Sequence, residues 1–436
     1  MKILKFGGTS VGSAQRIQNL AQIVQNEEPC IVVLSAMAGT TNALVEITEL
    51  LYKGDNENAL IKIEELEQSY FKRIEELYIS SEYLAKGVEL IQSHFVYIRN
   101  FVYKTFTQLQ EKAVLAQGEL ISTAMFHYHL AENKIDSVLL PALNFMRIDK
   151  DGEPDNYYIQ ENIKREISQY PNNKLFITQG YICRNAYGEV DNLHRGGSDY
   201  SASLIGVAVS ASEVQIWTDI DGFHNNDPRF VENTKAINEL SFDEAAELAY
   251  FGAKIMHPAS VLPCKLSSIP VRLKNTLNPS EEGTLISNKL ERKRIKAVAA
   301  KDGITAIKIK SGRMLLAYGF LRKVFEVFEI YKTPIDMITT SEVAVSLTID
   351  DTHNLEEIEK ELRKFGVVEV DKNQSIICIV GDFISEAAGS AKLVLEALEE
   401  IPLRMISYGG SNHNISVLVD QKNKIEALKA LNKLFN

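Results

Sequence analysis

The chain has 436 residues, enough for two or three domains with large cores. Its net charge of −11 argues against a surface built for nucleic acid or for an anionic membrane, since either needs basic patches. No apolar run reaches the length of a membrane span and the N-terminus shows no signal-peptide pattern, so a cytoplasmic protein is expected.

Lys2-Ile3-Leu4-Lys5-Phe6 reads as a short buried strand that breaks into Gly7-Gly8-Thr9-Ser10. Ile17, Leu20, Ala21 and Val24 then recur at helical spacing. A glycine turn between a strand and a helix lets backbone N–H groups approach an anion, and the helix N-terminus adds a favourable dipole. Lys5 sets a positive charge beside that cradle. The spacing fits neither the Walker loop nor the dinucleotide fingerprint. Taken alone, the segment also fits a plain strand–turn–helix with a surface lysine.

Further strands are expected at Cys30–Leu34, Ser137–Leu140, Leu175–Gln179, Val214–Thr218 and Pro270–Leu273. Most are continuous apolar runs, as in a parallel sheet covered on both faces by helices. Residues 55–112 interrupt the rhythm with a glutamate-rich helical stretch whose charges read as a solvated face. The cysteines Cys30, Cys183, Cys264 and Cys378 lie far apart without a Cys-x-x-Cys pair, so neither a disulfide nor a zinc site is expected. Turn residues cluster over Asn278–Gly283, and a boundary is read between there and Arg292, giving a first domain over 1–290.

The remainder reads as two copies of a ferredoxin-like βαββαβ unit, over 301–372 and 373–436. The second copy lacks its last strand, and a spare strand-like piece at 294–300 precedes the first. That piece either completes the second unit, so that one domain is inserted in the other, or the two are independent modules with the second truncated. An unpaired sheet edge is a liability, which favours insertion.

Ligands of an open parallel sheet bind beyond the carboxyl ends of its strands. Gly7–Ser10, Ser35–Asn42, Gln179-Gly180-Tyr181 and Thr218-Asp219-Ile220-Asp221-Gly222 all follow strands. His194-Arg195-Gly196-Gly197-Ser198-Asp199 adds a glycine turn opening a helix, which Ser198 or Asp199 would cap in the simplest account. Arg195 offers a planar fork for a carboxylate, Glu119 a partner for an ammonium group, and Lys5 with Lys254 charges for phosphates. Together these groups suit a zwitterionic amino acid meeting a nucleotide.

Lys5–Ser10, Ser35–Asn42, Gly118-Glu119-Leu120, Arg195–Tyr200, Trp217-Thr218-Asp219, Asp227-Pro228-Arg229 and Phe251-Gly252-Ala253-Lys254 resemble the aspartokinase family, from residue 1 to the C-terminus. The resemblance implies an α/β catalytic domain of the amino-acid-kinase type, an αβα sandwich with a mostly parallel central sheet. It also implies a pair of ACT domains, one inserted in the other, and a monofunctional enzyme nearest the lysine-sensitive type. The implied reaction is phosphorylation of the side-chain carboxylate of L-aspartate by ATP with Mg2+, the first step towards lysine, threonine and methionine. Lys5, Asp199 and Lys254 are then catalytic. Lys5, Gly7, Gly8, Thr218, Asp219, His224, Arg229 and Lys254 hold ATP, and Ser35, Thr41, Glu119, Arg195, Gly196 and Asp199 hold aspartate. His224 departs from the tyrosine usual in the lysine-sensitive enzymes. No general base is required, because the attacking carboxylate is already ionised, and no protein metal cage is expected.

For L-lysine as inhibitor, the resemblance points to Met314, Ala317, Gly319, Phe320, Leu321, Ile335, Asp336, Ser341 and Glu342, with Asp336 and Glu342 suited to the extra ammonium. Ala317 stands where a serine is common. Val324, Phe325 and Phe328 read instead as the core face of a helix. A homodimer or a dimer of dimers through the ACT domains is implied. The alternatives are another enzyme of the superfamily, acting on glutamate, carbamate or UMP, and a catalytically inactive amino-acid sensor.

Overall fold

The computed structural model describes residues 1–27, 29–193, 196–252, 256–289, 295–311, 318–382, 384 and 386–435. The strands are β1 (Lys2–Phe6), β2 (Cys30–Leu34), β3 (Val138–Leu139), β4 (Leu175–Gln179), β5 (Ile182–Arg184), β6 (Val190–Asn192), β7 (Glu213–Thr218), β8 (Glu239–Ser241), β9 (Val271–Asn275), β10 (Thr284–Ser287), β11 (Ala297–Lys310), β12 (Ile338–Thr340), β13 (Ala344–Ile349), β14 (Val367–Val380), β15 (Met405–Tyr408) and β16 (Asn414–Asp420). The helices are α1 (Ala14–Asn26), α2 (Thr40–Lys53), α3 (Asn56–Leu77), α4 (Ser81–Arg99), α5 (Gln108–Leu115), α6 (Gln117–Glu132), α7 (Asn156–Ser168), α8 (Gly197–Ala208), α9 (Phe242–Tyr250), α10 (Leu262–Leu266), α11 (Phe320–Ile330), α12 (Leu355–Leu362), α13 (Ser390–Ala397) and α14 (Lys424–Asn432). Contacts divide the chain into two compact units, Met1–Gly222 with Ile255–Asn288 and Phe223–Lys254 with Lys289–Asn436.

In the first unit the strands run in the order β3-β4-β2-β1-β7-β9-β10. All neighbours are parallel except β9 and β10, which are antiparallel. Every residue of β2 and of β4 is buried, as expected when helices cover both faces; β2 is apolar throughout, whereas β4 ends in the buried polar pair Thr178 and Gln179. Phe6 lies opposite both Leu34 and Trp217, and Leu34 opposite Gln179. The carboxyl ends of β1, β2, β4 and β7 therefore meet at one edge. Chain order reverses about β1, the position where open α/β sheets leave a crevice. The glutamate-rich stretch forms α3 and α4, whose stripe of Ile63, Tyr70, Ile74, Ile91 and Phe95 joins the core under the sheet. Glu67 departs from the expected solvated face: it is buried and held by Arg99.

In the second unit six strands form one sheet, in the order β12-β13-β11-β14-β16-β15. β11 and β14 are 14 residues each and antiparallel along nearly their whole length, from Ala297 opposite Val380 to Lys310 opposite Val367. β13 adds to the far end of β11, and β16 to the later half of β14. Ala297–Lys301 thus pairs with Ile376–Val380, so the chain visits the second ferredoxin-like half before building the first. The units read from the sequence over 301–372 and 373–436, with the strand-like piece at 294–300 apart, imply chain breaks near 300 and 372. The ladder instead continues through register shifts around Ile304, and Gly303 at φ +76° absorbs the kink. One core gathers Ile307, Val324, Phe328, Leu347 and Ile358, and the other Ile377, Ile379, Val394, Val417 and Leu428. Phe325, expected in the core, is 41% exposed, and Val327 takes the inward position. α13 begins at Ser390, where left-handed Gly389 sets its N-cap.

α9 belongs to this second unit and starts with a capping box between Ser241 and Glu244. Glu244 is fully buried and meets the buried Lys296 ammonium at 2.9 Å. Glu247, further along α9, accepts from Ser411 at 2.7 Å and from Asn414 at 2.6 Å.

Candidate active site

The crevice edge of the first unit collects the predicted glycine turns. Gly8 opens a short 3-10 turn after β1, and a Cβ there would stand 2.8 Å from the Ala36 carbonyl. Ala38 N–H donates to the Gly8 carbonyl at 3.0 Å, so the turns after β1 and β2 are stitched together. Gly118 faces the same loop from the first turn of α6, where a Cβ would meet Ala36 at 2.7 Å. Gly180, after β4, lies so close to Ser198 that a Cβ would fall 2.4 Å from its side chain. Only glycine allows these four segments to close on one another.

Charged and hydroxyl groups converge between them. Lys5 Nζ meets Asp199 Oδ1 at 2.7 Å, with both side chains largely buried. A Cβ on Gly7 would lie 3.5 Å from the same ammonium. Ser35 Oγ donates to Ser198 Oγ at 2.9 Å, and Ser122 Oγ donates to the Ser35 carbonyl at 2.7 Å. Glu119, in the first turn of α6, is only 4% exposed, and its Oε2 has no hydrogen-bond partner among the described residues. Burial pushes its pKa up to about 7, although the backbone N–H groups of Ala36 and Glu119 itself pull the other way. A buried carboxylate with an open oxygen is a ready acceptor for an ammonium group.

The remaining predicted residues are distributed as follows. Thr41 is exposed in the first turn of α2. Gly196 is the left-handed N-cap of α8, so neither Ser198 nor Asp199 caps that helix; Ser198 bonds Ser35 and Asp199 pairs with Lys5. Thr218 ends β7 and donates to Asp219 at 3.2 Å. His224 and Arg229 belong to the second unit, where His224 Nδ1 lies 3.1 Å from Thr234 Oγ1 and Arg229 is bidentate on Asp227. Arg195, Lys254, Met314 and Ala317 lie outside the described residues.

Of the effector set, Gly319 is the left-handed N-cap of α11, and Phe320 and Ile335 pack on the first ferredoxin-like core. Leu321, Ser341 and Glu342 are exposed. Asp336 is not a free carboxylate. Its Oδ1 receives Lys301 at 2.7 Å and the Tyr250 hydroxyl at 3.0 Å, while its buried Oδ2 has no hydrogen-bond partner among the described residues. Ser198 reads from the sequence only as a possible helix cap, and Ser122 and Lys301 carry no local signal, because each acts through a contact distant in the chain.

Among the described residues no cluster of three or more His, Cys, Asp or Glu could hold a metal ion, and no helix is long and apolar enough to cross a membrane. All four cysteines are buried, and none forms a disulfide.

Comparison with known proteins gives the site its context. Residues 1–275 match the amino acid kinase family and residues 377–435 an ACT domain. The chain is 35% identical to lysine-sensitive aspartokinase 3 of Escherichia coli over 98% of both chains. It superposes on the structure of E. coli aspartokinase III with lysine and aspartate at a TM-score of 0.86 and 34% identity, with both chains fully covered. The form of that enzyme with aspartate and ADP gives 0.82, again at 34% identity and full coverage of both chains. With likeness of this extent across both units, the chain belongs to the aspartokinase family.

Proposed function

We propose that the protein transfers the γ-phosphoryl group of ATP to the side-chain carboxylate of L-aspartate, giving 4-phospho-L-aspartate and ADP, with L-lysine as feedback inhibitor. The observation that carries this reading is the Lys5–Asp199 pair between the glycine turns, with the open carboxylate of Glu119 buried on a neighbouring segment. The E. coli relative solved with aspartate and ADP, and with lysine and aspartate, supports it.

In this reading Glu119 takes the substrate ammonium, Arg195 a carboxylate, and Ser35, Thr41 and Gly196 polar contacts around them. Asp199 aligns Lys5, which with the backbone of Gly7 and Gly8 neutralises charge on the phosphoryl group in flight. Thr218 and Asp219 contact the nucleotide, and the family resemblance assigns His224, Arg229 and Lys254 to it as well. The attacking carboxylate oxygen forms the new P–O bond as the bond to the ADP oxygen breaks. Such a transfer depends on positioning and charge neutralisation, and the aspartate carboxylate needs no deprotonation. Mg2+ enters with ATP on the phosphate oxygens, as part of the substrate. Lysine is held around Gly319–Leu321 and Ser341, with its side-chain ammonium on Asp336 or Glu342. The kinase domain spans 1–290 and the ACT domains 301–372 and 373–436, and the enzyme works in the cytoplasm as a homodimer or dimer of dimers. Measuring ADP release with aspartate, glutamate or no acceptor tests the assignment. Turnover on glutamate and none on aspartate overturns it.

A further inference from the structure

We infer that Tyr181 is a positioning residue for aspartate turnover: its ring, presented by a left-handed backbone, fixes the Gly196–Gly197 turn from which α8 offers Ser198 and Asp199. Tyr181 sits at φ +67°, a conformation that bulky residues seldom adopt and that persists only when the surroundings impose it. The surroundings do so from several sides. Its N–H donates to Ser201 Oγ of α8 at 2.8 Å, and its carbonyl accepts from Leu193 N–H at 2.7 Å. The adjacent Gly180 has no freedom to exchange places with it, because Ser198 occupies the space a side chain would need.

The ring has work to do on the glycine turn. Gly196 and Gly197 both have positive φ, at +72° and +47°, and two consecutive glycines are free to take many other shapes. A Cβ on Gly197 would lie 3.4 Å from Tyr181 Cδ2, so the ring backs that turn directly. The phenol is anchored in turn. With its amide oriented to satisfy both ends, Asn192 accepts from the Tyr181 hydroxyl at 2.8 Å and donates to the Lys112 carbonyl at 3.3 Å. Lys112 then pairs with buried Asp191 at 2.7 Å, fixing the segment that carries Asn192. A residue that strains its backbone to hold a ring against a flexible turn is being kept for the ring. The turn it holds leads to Asp199, the partner of Lys5.

This inference rests on the aspartate kinase reading, and the two fail differently. Tyr181→Gly relaxes the backbone and deletes the ring, Tyr181→Ala deletes the ring and keeps the strain, and Tyr181→Phe keeps both ring and backbone. In the full-length protein, Tyr181→Gly should raise the aspartate KM by about tenfold or more, because a turn misplaced by an ångström carries such a penalty. Its ATP KM should stay within about twofold and its melting temperature should equal or exceed that of Tyr181→Ala. Tyr181→Phe should keep the aspartate KM within about threefold of the wild type. Wild-type constants in both ring-deleted variants overturn the inference. So does a Tyr181→Gly protein that fails to fold, or one whose aspartate and ATP constants rise together with a lowered melting temperature, since the ring is then a structural element. A wild-type protein without aspartate-dependent ADP release defeats the underlying reading instead.

Discussion

Lys5 Nζ, at the end of the first strand, stands 2.7 Å from Asp199 Oδ1 in the first turn of α8. The two charges neutralise each other across the crevice edge, and each is largely withdrawn from water. An incoming phosphate group finds the lysine already aimed, which is the condition for a preorganised charge stabiliser. Lys5→Ala should therefore lower kcat by roughly 10²–10³-fold, the usual loss for removing one such group. Circular dichroism should show the fold intact, because the strand is held by Ile3, Leu4 and Phe6. Near-normal turnover in the folded variant would make Lys5 a bystander.

Glu119 gives a pH signature. Its pKa is raised from 4.5 to about 7 by burial, so the folded, ligand-free chain holds this proton more tightly than the unfolded chain. The stability tied to that proton is fully present below about pH 4.5 and is lost as pH rises through about 7. Glu119→Gln removes this dependence: thermal melts should show the variant gaining on the wild type between pH 5 and pH 8. Aspartate binding has the opposite slope, since an ammonium needs the ionised carboxylate. Wild-type aspartate affinity should weaken below about pH 7, the raised value, and Glu119→Gln should bind aspartate poorly throughout, with ATP binding little changed. Titration calorimetry with each ligand separates the two effects.

Much of this arrangement is written locally. The unbroken apolar run of β2, the apolar start of β4 at Leu175–Ile177, and the glycine breaks after β1 and β2 carry their own signatures of burial and turn. β5 and β6, at three residues each, are too short to show a period, and β10 follows a turn cluster that hides it. The sequence places a unit boundary at 300/301, yet pairing with β14 draws the chain straight through it with a bulge around Ile304. Asp336 looked like a free acid because Lys301 and Tyr250 reach it only in the folded unit. The left-handed backbone of Tyr181 has no local signal at all, since a tyrosine after a glycine ordinarily continues an extended chain.

Gly8→Ala tests the stitching of the two turns. The added methyl would sit 2.8 Å from the Ala36 carbonyl, a backbone atom that can move only by shifting the loop before Thr41. The variant should lose about 1–3 kcal/mol of stability, the range for local overpacking, and turnover should fall by more than the melting shift explains. Urea unfolding alongside kinetics at a temperature where both proteins are folded distinguishes the two losses.

In the second unit the Lys296–Glu244 pair is almost wholly buried. Removing one charge strands the other, so Lys296→Met should cost about 3–5 kcal/mol in urea unfolding. The double variant Lys296→Met with Glu244→Gln keeps the helix cap in neutral form and should recover most of that loss. Equal destabilisation in single and double variants would mean that packing, and not charge, holds the contact.

Regulation makes a separate claim. One oxygen of Asp336 is already taken by Lys301 and Tyr250, which leaves exposed Glu342 as the more available carboxylate for a lysine ammonium. Glu342→Lys should raise the lysine concentration for half-inhibition by roughly 10–100-fold, the equivalent of a lost charged hydrogen bond, with uninhibited turnover nearly intact. Lysine titrations of both proteins, with threonine as control, read this directly. Superimposable curves would remove Glu342 from the effector site.

The central claim is the identity of the phosphorylated group, and the most direct measurement traps it. Wild-type protein is incubated with MgATP, L-aspartate and hydroxylamine, and the hydroxamate is identified by mass spectrometry against authentic α- and β-aspartyl standards. The account predicts β-aspartyl hydroxamate, formed in step with ADP, with the yield falling by roughly 10²–10³-fold in Lys5→Ala. ADP release without hydroxamate, a hydroxamate formed only from glutamate, or an α-aspartyl product would contradict it.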